Sequence, residues 1–419
     1  MGAKIVDAHG LYVLPGAIDA HVHSRDPGFP EKEDFSSLTA AAAVGGVTTV
    51  IDMPNTVPAV DGLAVLEAKV ASALGRARVD FGLWGLVRSS STPEQLEGLA
   101  AAGAVGFKAY LGYAFSLSRR QVMYAADLDD PDLEAPPDYA TLARLAPVVA
   151  KLGLPLAIHA EDPGMLASFR RPLVGYSDVL ASRPPEAEAI AIEALAAIAL
   201  QAHARLHIVH LSSALGRKAA DHALSSGSRL TIETCPQYLW LTDQDFGRLG
   251  TTMKMYPPIR TSADRTALVD GLAVGAISIV GTDHAPHTDQ EKARSLEDAP
   301  AGSPGVQTLY LSCLELAKRL GDVWMAPRWV CEGPARLTGL DRFKGSIASG
   351  FDADLVLVDP AGRTVVRADR MLSRQRHGVM DGLEFGFEIK DVYLRGNLVA
   401  AQGKPRGPAA GRWVRPHSD

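Results

Sequence analysis

The stretch GAIDAHVHSRDPG, residues 16–28, is a short apolar run that ends in two histidines one residue apart and then an arginine. Side chains at i and i+2 of a strand lie on the same side, so His21 and His23 are expected to aim two imidazoles at one point. Such a pair suits a metal ion, but it also suits a strand that merely closes on polar residues, and the rest of the chain decides between them. Runs of similar composition recur at VTTVIDM (47–53), VDFGLWG (79–85), AVGFKAY (104–110), PLAIHAE (155–161), RLHIVHL (205–211), RLTIET (229–234) and ISIVGTD (277–283). They are continuous rather than alternating, as expected for parallel strands covered on both faces. The segments between them, such as KEDFSSLTAAAAVGG and TPEQLEGLAAAGA, have helical composition and glycine punctuation. Eight such units predict an α/β fold, a (β/α)8 TIM-like barrel with its active site at the C-terminal strand ends. A doubly wound sheet would usually carry a Gly-rich phosphate turn after its first strand, and this chain has none.

The strand ends carry the chemistry. His21 and His23 close the first run, Lys108 the fourth, His159 the fifth, His210 the sixth and Asp283 the eighth. One terminal histidine would be unremarkable, whereas five strands each offering a polar group to one barrel mouth point to a metal centre. By the two-residue period, His207 is expected to face the helices if His210 faces inward, and His284 to face away from Asp283. His203 and His222 fall on helix-like stretches, and His9, His377 and His417 lie outside the barrel segment. An ammonium cannot ligate a metal, so Lys108 fits the set as a carbamate, formed by its amine with carbon dioxide. Four histidines, one carboxylate and a bridging carbamate suffice for two divalent ions. Such a pair lowers the pKa of a shared water, with the free oxygen of Asp283 taking and passing on its proton.

The 419 residues carry a formal net charge of −6, with 47% hydrophobic and 21% charged side chains, which describes a globular chain with a large core. No Lys/Arg-rich block suggests nucleic acid. MGAKIVDAHG lacks a signal-peptide pattern, and AIAIEALAAIALQAHARL, interrupted by Glu193, reads as a helix packed on a sheet rather than a membrane span. Cys235, Cys313 and Cys331 match no disulfide or zinc spacing, so a reducing cytoplasmic setting is expected.

DAHVH, GFKAY, AIHAED, IVHLSS, ETCPQYL and GTDHAPHT occur in this order, and the chain from Val13 to Val358 resembles the cyclic amidohydrolases: dihydroorotases, allantoinases and hydantoinases. The resemblance implies a binuclear site, usually zinc, with a carboxylated lysine. By position His21, His23, Lys108, His159, His210 and Asp283 match its ligands. HVHSRDPGFPEKEDFSSLTAAAAVGGVTTVIDMPNTVP is most similar to dihydroorotase, which implies reversible hydrolysis of L-dihydroorotate in pyrimidine biosynthesis. Arg25, Asn55 and His287 then correspond to groups that hold the substrate carboxylate, a role that suits a guanidinium fork with neutral donors. KAYLGYAFS resembles the mobile catalytic loop of animal-type dihydroorotases, with Phe115 matching and Ala114 in place of threonine. Three residues depart: Gln237 in CPQYL is a hydantoinase spelling, Tyr113 falls where hydantoinases keep an oxyanion-binding tyrosine, and Tyr256 stands where an asparagine often contacts substrate. A hydantoinase or allantoinase acting on another cyclic ureide is therefore the alternative. An inactive scaffold, as where dihydroorotase-like chains support aspartate transcarbamoylase, is the remaining one. Homo-oligomers are common in the family.

The barrel is expected over residues 16–344. Residues 1–15 with 345–419 are expected to form a small β-sandwich, reduced because DAHVH begins by residue 19. The acidic stretch DLDDPDLEAPPDY (127–139) reads as a solvated loop near the barrel mouth.

Overall fold

The computed structural model describes residues 5–124 and 129–417. Residues 1–4 of the first segment and 127 and 128 of the acidic stretch therefore lie outside the described residues. The barrel strands are Ala17–Val22, Val47–Asp52, Asp80–Leu83 continuing as Gly85–Leu86, Phe107–Tyr110, Pro155–His159, Arg205–Ile208, Leu230–Thr234 and Ile279–Val280. Neighbours pair in parallel in chain order. The third strand breaks at Trp84, yet hydrogen bonds from Trp84 N to Asp52 O (3.0 Å) and Gly85 N to Gly106 O (2.9 Å) carry the sheet across the break. A parallel bridge between Val22 and His284 joins the end of the last unit to the first strand. The (β/α)8 architecture read from the eight apolar runs is the architecture of the chain.

Alternate strand residues divide between two cores. Ile18, Ile51, Met53, Trp84, Val105, Ala157, Val209 and Ile279 fill the ring, while Val50, Phe107, Leu156, Ile158, Leu206 and Ile232 pack outward among the helices. The helices follow local signals. Thr92 caps Pro93–Ala102 by accepting from Gln95 N, Gln95 reciprocates, and left-handed Gly103 (φ 105°) ends the helix. The alanine-rich stretch forms the helix Pro185–Ala202, burying Ala191, Ile192, Leu195 and Ala199. No described helix is long and apolar enough to cross a membrane.

Beside the barrel lies a five-stranded antiparallel sheet of Tyr12–Pro15, Leu355–Asp359, Glu388–Leu394, Asn397–Ala401 and Lys404–Pro405, with a two-stranded ribbon of Thr364–Val365 and Glu384–Phe385. At the barrel mouth, Ala114–Ser116 pairs with Gln121–Met123 and with Leu133–Glu134. The acidic stretch is thus partly a strand. Its acids are engaged rather than merely solvated: Asp132 accepts from Ser118 N (2.8 Å) and Glu134 from Ser90 N (2.7 Å).

The expected direction of His207 is corrected. It points into the ring, stacked on Trp84 and 3.6 Å from Glu233 Oε2. The strand ends at Ile208, and His210 reaches the mouth because the chain turns there, with His210 at φ 42°. The two-residue period therefore cannot be extended from one histidine to the other. His284 does face away, with Nε2 3.2 Å from Glu33 and Nδ1 accepting from Gly305 N and Val306 N.

Candidate metal centre

The two histidines of the first strand reach one carboxylate. His23 Nε2 lies 3.1 Å and His21 Nε2 3.3 Å from Asp283 Oδ1. Their other nitrogens fix the tautomers: His21 Nδ1 donates to Glu233 Oε1 (2.7 Å) and His23 Nδ1 to Asn55 Oδ1 (2.7 Å). Each Nε2 therefore presents a lone pair. Burial lowers His23 to about 4, so it is neutral at pH 7. Two lone pairs and an anionic oxygen converge with no proton between them, so the three groups form a candidate cation site.

The second pair comes from the fifth and sixth strands. His159 Nδ1 faces His210 Nε2 at 3.0 Å, and His159 Nε2 donates to Glu161 Oε2 at 2.8 Å. His210 Nδ1 is buried without a hydrogen-bond partner. Glu161 is also paired with Arg183. Burial would raise this acid, but Arg183 and His159 outweigh it and hold it at about 2. Lys108 is fully buried and its Nζ has no hydrogen-bond partner. Burial pushes its amine down to about 7, against the pull of Glu233 and Asp283. An orphaned buried amine is costly as it stands, and an anionic carbamate at this atom fits among metal ions. The donor set therefore fits divalent metals.

Arg25, His210 and Asp283 all adopt left-handed backbone, at φ 59°, 42° and 48°. Each costs about 1–3 kcal/mol for a residue with a side chain, and the three sit at the ends of the first, sixth and eighth strands. Gly281 is required by close approach: a Cβ there would lie 2.6 Å from Glu233 Oε2.

Arg25 is 9% exposed. Its Nη2 lies 3.2 Å from His287 Nε2, its Nε donates to Pro286 O, and among the described residues no carboxylate lies within ion-pair distance. Lys32 Nζ approaches His287 Nδ1 at 3.3 Å, and His287 Nε2 lies 3.0 Å from Ala301 O. This pattern makes Nε2–H a donor. Burial, with Arg25 adding, lowers His287 to about 3. The Asn55 amide nitrogen donates to the Tyr124 hydroxyl. Tyr113 OH lies 3.5 Å from both His159 Nε2 and Arg183 Nη2, and burial keeps its phenol well above the ordinary range.

Phe115 lies on the mouth hairpin in the same buried cluster as Tyr113. Its hairpin packs it with Ala59, Leu86, Tyr110, Tyr113 and Val122, and Arg88 lies 4.2 Å over its ring. Gln237 donates to Thr282 O at 3.2 Å, and Tyr256 stacks under Arg183 at 3.5 Å. Sequence reading passed over Glu233, Glu161 and Arg183. Glu233 was legible as an acid near the end of the one late strand to which no ligand was assigned. Arg183 follows a short helix, and nothing in the sequence marks it.

Residues 12–399 match the amidohydrolase family model. An allantoinase of Streptomyces avermitilis is 36% identical over 97% of this chain and 89% of its own length. A dihydroorotase of Halobacterium salinarum is 39% identical over 89% of this chain and 83% of its own. The solved L-hydantoinase of Arthrobacter aurescens superposes with a TM-score of 0.90 at 28% identity, over 98% of this chain and 90% of that one. The names differ in substrate and agree in chemistry: the chain belongs to the amidohydrolase family and is a hydrolase of cyclic amides.

Proposed function

We propose that the chain opens the ring of dihydroorotate, an acidic cyclic ureide, to give N-carbamoyl aspartate. The observation that carries this reading is Arg25, a buried guanidinium on the strand end that holds His21 and His23, beside His287 and without a carboxylate partner among the described residues. An unpaired buried charge costs several kcal/mol. A substrate carboxylate supplies the missing anion in fork geometry, with the Asn55 amide as a further donor and His287 against the guanidinium. A neutral ring leaves the guanidinium uncompensated.

Two divalent ions, zinc being the form usual in the family, would be held by His21, His23, His159, His210, Asp283 and a carboxylated Lys108. Bound there, they would polarise the scissile carbonyl and lower the pKa of water to near neutrality. Glu233, Asn55 and Glu161 orient the ligand imidazoles by taking their other N–H groups. Asp283 accepts the proton of the attacking water and delivers it to the departing ring nitrogen. Tyr113, kept protonated by burial, donates toward the oxygen on which charge develops. Arg25 and Asn55 hold the ring by its carboxylate, with His287 against the guanidinium.

A second reading, an uncharged ureide such as allantoin or hydantoin, is favoured by the stack of Arg183 on Tyr256. It gives the pocket an aromatic wall beside Tyr113, and the relatives named allantoinase support it. Turnover of dihydroorotate, allantoin and hydantoin, measured side by side on zinc-replete protein, separates the readings; preference for an uncharged ring would overturn the assignment to Arg25. A chain that takes up no metal would instead be a scaffold. A cytoplasmic location, and association with a second copy or with aspartate transcarbamoylase, are separate proposals, read by fractionation and by mass in solution.

A further inference from the structure

Lys69 lies on the outer helix Leu63–Ala73 and touches none of the site groups, yet it is 1% exposed and forms an ion pair with Asp52 Oδ2 at 2.6 Å. Asp52 is fully buried at the end of the second strand, facing the helices. Its two oxygens accept from Ser24, Oδ1 from the backbone N–H (2.8 Å) and Oδ2 from the hydroxyl (2.5 Å). Ser24 stands between His23 and Arg25. Its Oγ also takes the N–H of Asp26 at 3.3 Å, and the Asp26 carboxylate is held by Phe35 N (3.3 Å) and Arg76 (2.7 Å). Arg25, at φ 59°, is therefore fastened on both flanks. The same ammonium donates to Met53 O (3.4 Å) and Thr56 Oγ1 (3.3 Å), on either side of Asn55.

We infer that the buried Lys69–Asp52 pair, through Ser24, is a positioning device for anion recognition. One ammonium sets the segment 23–26 that aims Arg25 and the segment 53–56 that aims Asn55, and so fixes the spacing of the two donors that meet a substrate carboxylate. A left-handed arginine at the apex of a turn relaxes when its flanks are released, because the strained backbone persists only while its surroundings impose it. Loosening the clamp then weakens binding of an acidic ring and spares the chemical step. This inference rests on the reading of Arg25 as the carboxylate anchor.

The test uses Ser24→Ala and the charge-neutral double variant Lys69→Met/Asp52→Asn, which leaves no unpaired buried charge, compared with Arg25→Ala in the full chain. Steady-state kinetics on dihydroorotate and elemental analysis of bound metal are the readouts. The clamp variants are expected to raise KM about tenfold, with kcat within about threefold and metal content as in the wild type. Combined with Arg25→Ala they are expected to add little. A KM effect of Arg25→Ala with none from the clamp variants overturns the clamp and leaves the anchor standing. No effect of Arg25→Ala overturns the anchor, and the clamp with it. Lost metal, or a fall in kcat at unchanged KM, shows a merely structural network and also overturns the inference. If the double variant does not fold, Ser24→Ala alone decides.

Discussion

His159 Nδ1 lies 3.0 Å from His210 Nε2, two imidazoles from adjacent strands aimed at each other. They can share a proton only if His210 carries it on Nε2, because Glu161 already takes the N–H of His159. A divalent cation would answer both lone pairs without a proton, which is why the proposed function counts the pair among the ligands.

His210→Asn is therefore expected to reduce bound metal and to lower kcat by about 10²-fold or more. Added zinc should stabilise the wild-type chain by roughly 3 kcal/mol at a hundredfold excess over Kd, read as a shift in Tm. The variant should respond less. Full metal occupancy in His210→Asn would remove this pair from the ligand set.

Lys108 provides a second check. Its Nζ is buried without a partner, so metal binding should require that atom to become an anion. Metal-stripped protein is expected to regain activity with zinc plus bicarbonate, and to recover little with zinc in carbon dioxide-free buffer. Equal recovery in both would mean that the lysine acts as an amine.

The equilibrium supplies a third. Opening dihydroorotate creates a carboxyl with an ordinary pKa near 4, which ionises at neutral pH and releases one proton. Hydrolysis should therefore gain about tenfold in equilibrium constant per pH unit between pH 5 and 8, with condensation favoured on the acid side. Quantifying both species at equilibrium tests this, and a ratio independent of pH would exclude the reaction.

The barrel was legible because parallel strands are continuous apolar runs, and the candidate ligands stood out because five such runs, rather than one, close on a polar group. What escaped was set by contacts distant in sequence. Glu233 reaches His21 across 212 residues, and Lys69 meets Asp52 only because a helix folds back over the second strand. His207 misled because the two-residue period holds only inside a strand, and the strand had ended before His210.

Lys344 gives a prediction about the joint between barrel and small sheet. Its ammonium, 2% exposed, lies 2.8 Å from Asp80, 2.7 Å from Asp354 and 3.0 Å from Asp352. Asp80 opens the third barrel strand and Asp354 directly precedes the sheet strand Leu355–Asp359. These three carboxylates are close enough to hold a metal ion, but the ammonium already lies among them. Arg395 supplies a second cation to Asp80. Lys344→Met leaves buried acids short of a cation and is expected to cost about 3–5 kcal/mol at pH 7, measured by urea unfolding. Burial alone would lower the lysine, but Asp80 and Asp354 raise it above its ordinary 10.5. A group raised on folding contributes fully below its unfolded value and loses that contribution as pH climbs through its folded value. The gap between wild type and variant should thus hold up to about pH 10 and close above 10.5. The gap should also narrow on the acid side as the carboxylates protonate, and a gap that persists well above pH 10.5 would remove the ammonium from the pairing.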